Sequence, residues 1–99
     1  MQNYRKKVIL VDMDNTLCKG LCWTPAQCLK AVPNTSVINK INKMGLEGYI
    51  IIWTARRDHL IPATMEWCRR NGVHFQAISN NKSAGDLMVD DLAINVRNL

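Results

Sequence analysis

Four consecutive apolar residues, Val8-Ile9-Leu10-Val11, run directly into Asp12-Met13-Asp14-Asn15-Thr16. The run reads as a buried strand that turns into a loop. Two carboxylates two residues apart put like charges at the edge of a core, and they resist joint ionisation unless a cation lies between them. Asp-x-Asp-x-Thr after such a strand points to a magnesium site with one aspartate free to attack phosphorus.

Strand-like and helix-like stretches alternate along the rest of the chain. Residues 17–33 contain Gly20, Pro25 and Pro33 and read as an irregular excursion with about one helical turn. Pro33-Asn34-Thr35 supplies an N-cap. Val37, Ile38, Ile41 and Met44 then fall on one helical face, and Gly45 stops the helix. Residues 49–53 form an apolar run suited to a central parallel strand. A second helix is expected over residues 60–71, with Ile61, Met65 and Cys68 along one side and Asn71-Gly72 at its end. Residues 73–78 suit an edge strand, and Leu87-Met88-Val89 a short buried one before Asp90-Asp91.

This alternation predicts an α/β layer fold with a small parallel sheet, as one domain over residues 1–99. In such sheets ligands lie beyond the carboxyl ends of the strands. Asp12, Asp14, Thr54, Asp90 and Asp91 all fall at or just past such ends. If the first strand lies between the second and the fourth, residues 79–86 must cross roughly 14 Å at ~4.8 Å per strand. Eight residues reach at most ~27 Å, so a loop is expected there, not a helix.

Composition narrows the function classes. No apolar stretch approaches the length of a membrane span, and the four apolar residues after Arg5-Lys6-Lys7 are too few for a signal peptide. A cytoplasmic protein is the default expectation. Cys18, Cys22 and Cys28 lie at spacings of four and six, but no second ligand pair has metal-like spacing, and His59 and His74 are far off in sequence. Free thiols in a reducing compartment are the expected state, ahead of structural zinc. Thirteen basic against eight acidic residues give a net charge of +5, scattered over the chain. That suits a solvated surface or a positive rim for an anionic substrate, without compelling nucleic-acid binding.

Asp12-x-Asp14-x-Thr16, Thr54, Lys82 and Asp90-Asp91 together resemble the four motifs of the haloacid dehalogenase (HAD) superfamily of phosphotransferases, in that family's order. The likeness is closer to small capless members of the capsule-biosynthesis or phage-encoded kind. These carry stretches similar to Ile51-Ile52-Trp53-Thr54-Ala55-Arg56 and to residues 82–95. The resemblance implies a three-layer Rossmann-like fold with a minimal flap and no cap domain. It implies a phosphomonoester hydrolase that works through an aspartyl-phosphate. Asp12 would be the nucleophile and Asp14 the general acid and then base, changing protonation state near neutral pH beside other carboxylates. Thr54, Ala55, Arg56 and Lys82 would bind and neutralise the phosphoryl group. Mg²⁺ would be held by Asp12, the Asp14 carbonyl and Asp90, with Asp91 as ligand or close neighbour. Arg56 and Arg57 bind substrate phosphate or face water. Asn15, where many relatives have glycine, suits a left-handed turn position.

The sequence departs from the family where Ser83 follows Lys82 in place of proline, and it ends at Leu99, soon after the last motif. Residues 18–33 are too few for a cap domain and can form only a flap. An open site implies a large or polymeric phosphorylated substrate, or a homo-oligomer whose neighbour shields it. Trp23 in the flap contacts substrate or partner, or closes the core from above. Two alternatives keep the same motifs: a nucleic-acid end-processing phosphatase, and a non-catalytic binding module on the HAD fold. A receiver-type signalling module is disfavoured by motif order, since here the acidic pair follows the lysine.

Overall fold

The computed structural model describes residues 7–80 and the backbone of residues 94–96. The first apolar run is β1 (Lys7–Asp12), buried at Ile9, Leu10 and Val11. The excursion after it is more ordered than its Gly and Pro content suggests. It contains β2 (Cys18–Lys19), α1 (Pro25–Lys30) and β3 (Val32–Pro33). Antiparallel pairing of β2 with β3 closes this flap at its base. Thr24 caps α1 by accepting the Gln27 N–H at 3.2 Å, and Pro25 occupies the first turn, where its missing N–H has no cost.

α2 (Thr35–Met44) begins after Asn34 and ends at Gly45, as the cap residues predict. Asn34 makes no side-chain cap bond to the helix. A missing cap costs about 1 kcal/mol, whereas each large apolar side chain it buries, here Val37, Ile38 and Ile41, contributes roughly 1.5–3 kcal/mol, so packing decides. β4 (Gly48–Trp53) follows a single turn of 3₁₀ helix. α3 (Ile61–Arg70) buries Ala63, Thr64, Trp67 and Cys68; of the expected line of Ile61, Met65 and Cys68, only Cys68 is fully buried. Met65 is exposed, because Trp67 takes the core-facing position and donates its indole N–H to the Ala31 carbonyl at 2.8 Å.

β5 (Ala77–Ser79) starts later than the expected residues 73–78. Val73 still belongs to the helix end, donating its N–H to the Cys68 carbonyl. Gln76 bonds Ile50 through both its backbone and its side chain before the strand begins. The last described strand is β6 (Ile94–Val96).

Among the described residues four strands form one parallel sheet in the order β5-β4-β1-β6. This is the expected α/β arrangement, with β4 central and β5 at an edge. The expected strand at residues 87–89 lies outside the described residues. The strand beside β1 on that side is β6, which begins after Asp90-Asp91 in sequence. α2 and α3 cover the same sheet face, packing Val37, Ile38, Ile41, Trp67 and Cys68 on Ile9, Val11, Ile50 and Ile52. On the other face Tyr49 is exposed while Leu10, nearer the sheet centre, is buried. The described residues thus make two layers. The expected third depends on the connection from β5 to β6, which falls almost wholly outside them.

Candidate functional site

Strand order runs outward from β1 through β4 to β5, and the chain returns to the far side of β1 with β6. The order therefore reverses beside β1, and at such reversals an open α/β sheet has its crevice. Asp12 ends β1 at this point, level with Trp53 of β4. Thr54, the next residue, lies at the same edge and donates its N–H to the Ser79 carbonyl of β5.

The loop after β1 is curled tightly. The Met13 carbonyl accepts N–H groups from Thr16, Leu17 and Cys18, and Met13 and Leu17 are fully buried anchors. Asn15 takes the left-handed conformation expected of it, at φ 61°. Its side-chain oxygen accepts the Gly20 N–H at 3.0 Å, tying this loop to the flap. Asp12 and Asp14 are both half-buried.

The loop after β4 turns on Thr54, a buried residue whose hydroxyl oxygen accepts the Arg56 N–H at 3.2 Å. Ala55 is exposed beside it. Arg56 does not face water and is not open to a ligand: it is 5% exposed and its guanidinium is taken up inside the protein. Nη2 lies 2.8 Å from Asp14 Oδ1, and Nε contacts both carboxylate oxygens at 3.3 Å. Nη1 donates to Thr64 Oγ1 at 2.8 Å, and that hydroxyl donates to the Leu60 carbonyl. Nη2 also reaches Cys18 Sγ at 3.5 Å. One guanidinium thus joins the β1 loop, the β4 loop and α3. The charged partner of Asp14 among the described residues is the Arg56 guanidinium. A threonine on the buried face of α3 was the sequence signal for such a network, since a mid-helix hydroxyl there needs a partner.

Two cysteine expectations change. Cys22 and Cys28 form a disulfide across the start of α1, so they are not free thiols, and thiol content no longer argues for a reducing compartment. Cys18 and Cys68 are free and buried. Burial raises both thiols, Cys68 to about 12, against the opposing pull of Arg56. Both stay protonated at neutral pH, so neither is a nucleophile.

The flap and the β4–α3 connection enclose a cleft of about 350 Å³ over Asp14 and Arg56. Leu21, Trp23, Arg57 and His59 line its mouth. Trp23 is 72% exposed and does not close the core, a task that falls to Trp67. A larger groove, about 830 Å³, runs along the outer side of α3 and contains none of the motif residues. Among the described residues no three acidic, histidine or cysteine side chains gather as a metal group. The expected set needs Asp90 and Asp91, which, with Lys82, lie outside the described residues. The oxygen donors within them, the Asp12 carboxylate and the Asp14 carbonyl, suit a hard cation such as Mg²⁺. No helix among the described residues is long and apolar enough to cross a membrane.

Compared with models of known protein families, with curated proteins and with solved structures, the chain matches none.

Proposed function

We propose that this chain is a Mg²⁺-dependent phosphomonoester hydrolase of the HAD kind. What supports the reading is one juxtaposition. Asp12, the last residue of β1, and Thr54, the first after β4 and 42 residues on in sequence, lie at the same edge of neighbouring parallel strands where the strand order reverses, and Asp14 lines a cleft next to them.

In this reading an Asp12 carboxylate oxygen attacks phosphorus in line with the ester oxygen. The Asp12–phosphorus bond forms as the ester P–O bond breaks, and Asp14 delivers a proton to the departing oxygen. Asp14 then takes a proton from water, which displaces the phosphate and frees Asp12. Arg56 anchors the Asp14 carboxyl mainly through Oδ1, 2.8 Å from Nη2, which leaves Oδ2, 3.3 Å from Nε, as the oxygen that carries the transferred proton in this reading. Thr54 and the backbone at Ala55 would bind phosphoryl oxygens, with Lys82 as the neutralising cation. Mg²⁺, held by Asp12, the Asp14 carbonyl and Asp90 or Asp91, would supply charge neutralisation for the transferring group.

The test is hydrolysis of a chromogenic phosphomonoester. Turnover should require Mg²⁺, stop in EDTA, fall to background in Asp12→Asn, and drop ~10²–10⁴-fold in Asp14→Asn. Undiminished turnover in Asp12→Asn, or none in the wild type with any divalent cation, would end the proposal.

A further inference from the structure

We propose that the cleft under the flap selects a small phosphate ester by a flat aromatic group, of which a nucleoside monophosphate is the common form. The inference rests on the phosphatase reading, because that reading places the phosphoryl group beside Asp14.

Trp23 carries the aromatic half. A large indole left 72% exposed gives up most of the free energy its burial would supply. Its backbone is nevertheless fixed twice. The Trp23 N–H donates to Gln27 Oε1 at 2.8 Å, and the preceding residue, Cys22, is locked by the disulfide. Among the described residues the indole N–H has no partner. The result is an exposed indole carried on a fixed backbone at the edge of a cleft, where a base can stack on it.

Arg57 carries the anionic half. It is exposed, and among the described residues its guanidinium makes no hydrogen bond or ion pair. His59, equally exposed, lies beside it at the cleft mouth. Of the nearby carboxylates, Asp14 is paired with Arg56, and Asp58 accepts from the Asn80 amide and makes no ion pair with Arg57 among the described residues. A fork of donors with no internal acceptor suits a phosphate. The size sets the class. About 350 Å³ is at the low end of small-molecule sites, which run from roughly 300 to 1,000 Å³. One ring and one phosphate are enough to fill it.

The experiment is calorimetric titration of the Asp12→Asn protein in Mg²⁺ with adenosine monophosphate, ribose 5-phosphate and inorganic phosphate. Adenosine monophosphate should bind about tenfold or more tightly than ribose 5-phosphate. Trp23→Ala in that background should bring the nucleotide down to the sugar phosphate, and Trp23→Phe should keep most of the preference. Arg57→Ala should weaken all three ligands. Equal affinities in the parent, a preference that survives Trp23→Ala, or no binding at all overturns the inference. Ring-dependent binding without turnover of a chromogenic ester by the wild type would leave this cleft standing and remove the phosphatase. Turnover without ring preference would do the reverse.

Discussion

Arg56 draws its importance from where its charge is held. Its side chain is 2% exposed, against 19% for Asp14, so the two partners do not lose equally when the pair is broken. Asp14→Ala strands a buried guanidinium on Thr64 and Cys18 and should cost ~3–5 kcal/mol. Arg56→Met fills similar space and leaves a carboxylate that water can reach, so its loss should be smaller, ~1–3 kcal/mol. Urea unfolding of the two variants measures the order; the reverse order would mean that Asp14 is not what holds Arg56. Glu66 shows the exposed counterpart. Hydrogen bonds from Arg69 and Arg70 hold its carboxyl at about 2, below the ordinary 4.5. A lowered folded value means that its stabilisation is complete above about pH 4.5 and is lost as pH falls through about 2. The stability gap between wild type and Glu66→Gln should therefore narrow from pH 5 to pH 2. It should also shrink at high salt, because the group is on the surface. Asn15 was legible from its residue type, since a left-handed turn is a local property. Arg56 was not, because its carboxylate is 42 positions away and nothing near it in sequence names that partner.

The flap is held by its links, not by its helix. Six residues of α1 are far too few to form a helix alone. The Thr24 cap, the β2–β3 pairing and the Cys22–Cys28 bond supply the order that length does not. Closing so short a loop contributes roughly 2 kcal/mol by chain entropy, which the Cys22→Ser, Cys28→Ser double variant should lose in urea unfolding. Thiol titration checks the bond directly. The native protein should show no fast-reacting thiol at neutral pH, the unfolded protein two, and the unfolded and reduced protein four. The limits of α2 could be read beforehand because the apolar face of Val37, Ile38 and Ile41 begins just after Asn34 and stops before Gly45, a signal contained within a few neighbours. The flap could not, because its strands are two residues each and its disulfide joins Cys22 before α1 to Cys28 within a helix too short to form alone.

The site depends on how β1 and β4 are aligned, because that register brings Asp12 level with Trp53 and so beside Thr54. Gly48 permits the alignment at the opposite end. A methyl group there would sit 2.8 Å from the Lys7 carbonyl oxygen and 3.1 Å from Ile9 Cδ1. The obstacle is backbone, so Gly48→Ala should cost ~1–3 kcal/mol in urea unfolding by pushing the two strands apart. An unchanged midpoint would show that the strands can separate freely there. That β1 and β4 are strands, that α2 and α3 are helices, and that Asp12 and Thr54 fall at or just past strand ends, could be read from residue order, because apolar periodicity acts over a few neighbours. The pairing of Arg56 with Asp14, the disulfide, the exposure of Trp23 and the cleft beneath it could not. Each needs groups from different elements to meet, and a buried charge, a thiol or an indole takes its partner or its solvent only once those elements have packed.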